Sequence, residues 1–191
     1  MTNQTTKRTR DQQIMMLLTK FKICSRNQIA KILFSNNTNP INVCNRVLKR
    51  LVFQGNILAV KRERDKPYLY TCNPSTIHHR SNKIEHYLKI VDFYIWRKCP
   101  QNFLIEPILG SYEPDILFKD QSNNTICVEI QLTPISLNKM QSKINQFVSE
   151  YEKEHDSRVF VLCSNETYSR LKMPAEFKLI KQPLPLDIVF H

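Results

Sequence analysis

Positive charge is confined to one end of this chain. Residues 1–80 carry fifteen Lys or Arg against three Asp or Glu, whereas residues 81–191 carry thirteen against fourteen. The net charge of +11 therefore resides before Ser81. One uniformly solvated surface would not segregate charge in this way, so the step predicts two modules, one of them built to meet a polyanion. A basic surface speeds encounter with a polyanion by long-range attraction, but it names neither a fold nor a sequence preference. At 191 residues the chain can bury one substantial core or two small ones. The charge step favours two.

Composition excludes several classes of function. Only Gly55 and Gly110 occur, so neither a phosphate-cradling P-loop nor a dinucleotide-binding glycine turn can be built. Cys24, Cys44, Cys72, Cys99, Cys127 and Cys163 stand singly with no C-x-x-C pair, which favours buried reduced thiols over disulfides or a zinc site. His78 and His79 are adjacent and cannot share a face, so they fit a solvated linker. No apolar run approaches the roughly 20 residues of a membrane helix, and Ile14–Leu18 is too short for a secretory signal. The expectation is a soluble, cytoplasmic protein with no membrane partner.

The basic half patterns as three helices and a hairpin. Met1–Thr9 is polar and reads as an arm without a cap; Asp11–Phe21 places Ile14, Leu17, Leu18 and Phe21 at helical spacing. Ser25 with Gln28 three residues on forms a capping box for a second helix with an Ile29, Ile32, Leu33 face. Pro40 suits the first position of a third helix that runs to about Gln54 and stops at Gly55. Its expected core stripe is Val43, Val47, Leu48 and Leu51. Strand-like runs Ile57–Lys61 and Tyr68–Cys72 follow, joined by a charged tip. This order is that of a winged helix-turn-helix over residues 10–73, in which the third helix enters the major groove of double-stranded DNA and the hairpin reaches phosphates. Candidate DNA contacts are Asn42, Asn45, Arg46, Lys49 and Arg50 on the helix, with Arg62, Arg64 and Lys66 at the tip.

Residues 82–191 pattern as a second, α/β module, making the whole chain α+β. An amphipathic helix, Lys83–Lys98 with Ile84, Leu88, Val91 and Ile95 on one face, precedes strands at Phe103–Glu106, Asp115–Lys119 and Thr125–Leu132. A helix at Asn138–Glu154 and a strand at Arg158–Cys163 complete an α-β-β-β-α-β order with a parallel crossover. A short helix near Glu166–Leu171 and one or two strands within Phe177–Phe190 would follow. Pro114-Asp115 opens one strand, and Glu129-Ile130-Gln131 lies in the next with Glu129 and Gln131 on one face. Two carboxylates across paired strands can hold Mg²⁺, which polarises a phosphodiester and lowers the pKa of an attacking water.

That constellation resembles the PD-(D/E)XK nuclease superfamily, with Gln131 where the pattern has Lys. Glu85 or Glu106 could supply a further acid, and Lys139 or Lys143 could stand in for the missing cation. The two halves together resemble the replication-relaxation family of plasmids and mobile elements. The matching residues are Arg46-Val47-Leu48-Lys49-Arg50-Leu51 with Gly55, then His86, Glu106, Pro114-Asp115, Glu129-Ile130-Gln131, Tyr151 and Val159–Cys163. The resemblance spans roughly Gln12 to Leu171 and departs from that family at Gln131, where an acid is usual. It implies a DNA-binding accessory in plasmid replication, nicking or conjugative mobilisation. The implied partners are a relaxase or replication protein and a second copy of the chain. Three functions follow as expectations. The first is such an accessory, with a degenerate nuclease-like domain. The others are a Mg²⁺-dependent endonuclease with Asp115, Glu129, Gln131 and Glu106 at its centre, and a transcriptional repressor with a C-terminal sensing or dimerisation module.

Overall fold

The computed structural model describes residues 9–62, 66–78, 81–110, 112–133, 135–151, 158–164 and 177–181. The chain divides into two compact units, Met1–Ile95 and Trp96–His191. Both mix helix and strand, so the protein is α+β.

In the first unit, α1 (Arg10–Phe21) and α2 (Arg26–Leu33) both begin with capping boxes, from Thr9 with Gln12 and from Ser25 with Gln28. In each, a hydroxyl and a Gln amide exchange hydrogen bonds with backbone N–H groups that helix geometry leaves without intrahelical partners. Thr9 is thus a cap and not the end of an uncapped arm. Pro40 opens α3 (Pro40–Phe53), and Asn39 accepts from the Asn42 N–H at 3.2 Å. The helix ends in a Schellman turn: Asn56 N donates to Leu51 O at 3.0 Å and Gly55 N to Val52 O at 3.0 Å, with Gly55 at φ +72°. A left-handed residue is needed there, and glycine adopts it without a Cβ clash.

Strand β1 (Cys24–Ser25) pairs antiparallel with β3 (Leu69–Thr71), which pairs with β2 (Leu58–Val60), giving the order β1-β3-β2. The α3 stripe is rotated by one residue from the expected one. Cys44, Leu48 and Leu51 are buried while Val43 and Val47 are half-buried. A small thiol, spaced four and seven residues from two leucines, fits the close approach of α2 and α3. Burial also pushes the Cys44 thiol up to about 12. Cys24, Cys44, Cys72, Cys99 and Cys127 are not in disulfides.

The helix α4 (Ser81–Trp96) departs from expectation. The sequence pattern sets it in the second module, yet the division between units falls at its end. Polar anchors explain why. Gln28, 6 % exposed, donates through Nε2 to Leu88 O at 2.8 Å and to Asp92 Oδ1 at 2.7 Å, while its Oε1 accepts from Ser25 N at 2.9 Å. The Phe21 and Tyr94 rings lie 4.9 Å apart, and Lys22 Nζ donates to the Tyr87 hydroxyl at 2.8 Å. The residue that caps α2 therefore also clamps α4. Gln28→Ala would strand buried groups on both helices and should cost about 1–3 kcal/mol, read as a lower urea midpoint at unchanged slope.

The second unit, without α4, runs β-β-β-α-β-β among the described residues. Its sheet has the order β4-β5-β6-β7-β8, from β4 (Leu104–Ile105), β5 (Ile116–Lys119), β6 (Thr125–Gln131), β7 (Arg158–Ser164) and β8 (Phe177–Lys181). The first three strands are antiparallel and the last three parallel, so the expected crossover through α5 (Leu137–Tyr151) is present. The β5–β6 hairpin closes on Asp120, whose Oδ1 accepts from Ser122 N and Asn124 N, with Asn123 at φ +64°. Met140 and Ile144 are fully buried and anchor α5. The expected helix near Glu166–Leu171 and any strand beyond Lys181 lie outside the described residues. No described helix is long and apolar enough to cross a membrane.

Candidate active site

Strand register brings the acids into a row. The pairing Ile116–Val128 continues by one step to set Asp115 opposite Glu129, and Ile105–Ile116 continues to set Glu106 beside Asp115. Two bonds fix this end of the sheet. Glu106 N donates to Asp115 O at 3.0 Å, and Ile130 N donates to Asp115 Oδ2 at 2.6 Å. Asp115 is thus held by the backbone that carries Glu129. The third acid does not join them. Glu106 is exposed at φ +49°, and no cluster of three ligating side chains occurs among the described residues.

Glu129 is 4 % exposed. Its Oε1 accepts from the Tyr112 hydroxyl at 2.7 Å and its Oε2 from Lys143 Nζ at 2.9 Å. Lys143 lies one turn beyond the fully buried Met140, so it flanks the α5 face that packs into the core and its ammonium reaches the strand. Burial, then the neighbouring Asp115 charge, raises the Glu129 carboxyl above its ordinary value, against the opposing pull of Lys143 and Tyr112. Burial pulls Lys143 down, but the Glu129 charge and hydrogen bond outweigh it and hold the ammonium above its ordinary value. Burial and Glu129 likewise push the Tyr112 hydroxyl far up, so it stays a protonated donor.

Gln131, where the motif has Lys, turns away: its Nε2 donates to Thr133 O at 2.6 Å. Of the two lysines suggested by the sequence, Lys143 sets its ammonium on Glu129. Tyr112 was not anticipated. It follows a tight turn, Leu109 and Tyr112 exchanging backbone bonds at 2.8 and 2.9 Å around Gly110 at φ +60°. A glycine turn just before Pro-Asp is the signal that would have found it.

The donors suit Mg²⁺ chemically, being carboxylates that repel one another. The repulsion has a pH signature. The folded state keeps a proton on Glu129 that the unfolded chain releases, so stability should fall as pH rises from the ordinary value of 4.5 through the raised one. Asp115→Asn keeps an acceptor for the Ile130 N–H and removes the neighbouring charge. Its melting temperature should decline less between about pH 4.5 and 7 than that of the wild type.

The expected DNA contacts are placed unevenly. Asn42, Arg46 and Lys49 are exposed at i, i+4, i+7 on α3, and Phe53 continues that face at 92 % exposure. Asn45 is half-buried. Arg50 pairs with Asp11 at 2.5 Å and Arg62 with Glu85 of α4, so both are engaged within the unit. Lys66 is exposed, and Arg64 lies outside the described residues.

No family model and no curated protein matches the sequence. Two solved structures are similar, each 13 % identical and each matched over 68 % of this chain. One is a repair endonuclease from Pyrococcus abyssi, at a TM-score of 0.41 over 66 % of that chain. The other is EndoMS in a complex with double-stranded DNA, at 0.38 over 62 %. The chain thus spans just under two thirds of each.

Proposed function

We propose that this protein binds double-stranded DNA through its first unit and hydrolyses phosphodiesters at a metal-dependent centre in its second. The observation that carries the second half is Lys143 Nζ on Glu129 Oε2 at 2.9 Å, with Asp115 opposite across the β5–β6 ladder. It supplies from α5 the cation whose absence at Gln131 favoured a degenerate domain. In this reading the first unit is a winged helix-turn-helix, α3 its reading helix and the β2–β3 hairpin its wing.

Asp115 and Glu129 would hold the ion, which when bound supplies Lewis-acid polarisation of the phosphodiester and a lowered pKa for the attacking water. Lys143 is kept protonated by Glu129, so it acts as a fixed positive charge for the developing phosphorane and not as a base. Tyr112 fixes the Glu129 rotamer from the other side. On the resemblance to the replication-relaxation family, such a protein would serve plasmid replication, nicking or mobilisation, with a relaxase or replication protein as partner.

A second reading rests on the same network: both Glu129 oxygens already have donors, as in a structural ion pair on a scaffold used only for binding. Calorimetric titration with Mg²⁺ and Mn²⁺ separates the two. The first reading predicts binding and a raised melting temperature by mass action, both lost in Asp115→Asn. Absence of heat and of any melting shift at millimolar metal would leave the scaffold reading.

A further inference from the structure

We propose that the first unit holds a binding site for a small phosphorylated molecule of nucleotide size, in the cavity between α1, β3 with the 3-10 turn at Pro74–His78, and the start of α4. The cavity measures about 500 Å³. That is larger than a bare phosphate needs and within the usual range of roughly 300–1,000 Å³ for small-molecule pockets. Its residues lie far along the sequence from the Asp115–Glu129 centre and outside α3.

Two ammonium groups converge on one wall. Lys22 Nζ donates to the Tyr87 hydroxyl at 2.8 Å and lies 4.5 Å from the ring centre, while Lys83 Nζ lies 5.9 Å from the same centre. Tyr87, 2 % exposed, is a fixed platform for both. Both ammonium groups therefore lie within 6 Å of one buried ring, where a bound anion would meet two positive charges. Lys83 also sits in the first turn of a 16-residue helix with no acidic residue there, so the helix dipole adds to the positive potential. None of the residues lining the cavity is acidic.

Neutral donors complete the lining. Thr76 is 2 % exposed and Thr19 faces the same space. Asn73 Oδ1 accepts from Ser75 N at 3.0 Å and Ser75 Oγ at 2.9 Å, which leaves its amide N–H groups to point elsewhere. Leu18 gives an apolar wall for the organic part of the ligand. Lys22 itself is held at φ +65°, its carbonyl accepting from Thr71 Oγ1 at 2.6 Å.

The test is calorimetry on the full chain with adenosine 5′-monophosphate and with adenosine. The monophosphate should bind saturably and adenosine at least about tenfold more weakly. Lys83→Met, at an exposed position, should weaken the monophosphate about tenfold with an unchanged melting temperature, and Lys83→Arg should restore binding. Equal affinity for adenosine, no binding by about 5 mM, or an unaltered affinity in Lys83→Met would overturn the proposal. Displacement of the monophosphate by a short DNA duplex would overturn it too, because the lysines would then belong to the DNA-backbone surface.

Discussion

Lys143→Met should reduce metal-dependent DNA cleavage by about a hundredfold or more, the usual loss when one positioned charge is removed from a site where negative charge develops. The same substitution leaves Glu129, 4 % exposed, with Tyr112 as its remaining donor beside the like charge of Asp115. Removing one partner of a fully buried pair costs about 3–5 kcal/mol, and the 43 % exposure of Lys143 discounts that to about 1–3 kcal/mol here. The two effects can be separated. Lys143→Arg keeps the charge and should recover most of the stability, while a planar guanidinium in place of a compact ammonium should recover only part of the rate. Stability is read by urea unfolding at pH 7 and cleavage by single-turnover kinetics. Equal rates for Lys143→Met and the wild type, at temperatures where both are folded, would remove Lys143 from the chemistry.

Arg46→Ala should weaken binding at a specific DNA site by about 1–3 kcal/mol, roughly five- to 150-fold, and relax the sequence preference. Arg46 lies at the centre of the exposed Asn42, Arg46, Lys49 face, and a guanidinium there can bond two acceptors of one guanine. Lys66→Ala, in the β2–β3 loop, should behave differently. A phosphate contact is blind to sequence, so all DNA should weaken alike and the salt slope should flatten by about one unit. Arg50→Ala should have a smaller effect than Arg46→Ala on DNA, because the Arg50 guanidinium is engaged by Asp11 of α1. Fluorescence anisotropy at several salt concentrations distinguishes these outcomes, and identical losses for Arg46→Ala and Lys66→Ala would remove the distinction between reading and phosphate contact.

Local signals were legible wherever backbone chemistry alone decides the structure. The Ser25–Gln28 box, Pro40 at the start of α3, the Gly55 stop and the Asp120–Asn124 turn each act within five residues, and all four are present. The α5 crossover was also readable, because a long periodic helix between apolar strands leaves few alternatives. Long-range choices were not. Amphipathic spacing in α4 predicts a buried face but not what buries it. The choice rested on Gln28, a residue whose capping role gave no hint of its second partner 60 residues away. The α3 phase failed for a related reason: Cys44 counts weakly as a core former by type, yet a small buried side chain suits a close helix contact.

The site was half legible. Asp115 and Glu129 stood out because strand alternation and the Pro-Asp step place them on neighbouring strands. The Gln131 departure is visible because the motif is local, whereas the ammonium that reaches Glu129 comes from Lys143, fourteen residues farther along. Tyr112 lay outside any motif. The ion pairs of Arg50 with Asp11 and Arg62 with Glu85 were not legible either, since charge counting does not say which acids a basic side chain meets in the fold.

The most direct measurement is the conversion of supercoiled plasmid to nicked or linear DNA in Mn²⁺ or Mg²⁺, with the wild type and Asp115→Asn compared at equal folded concentration. Conversion by the wild type, abolished by a chelator and absent in Asp115→Asn, is the predicted result. A wild-type protein that binds the same DNA and leaves it intact at every metal concentration would contradict it.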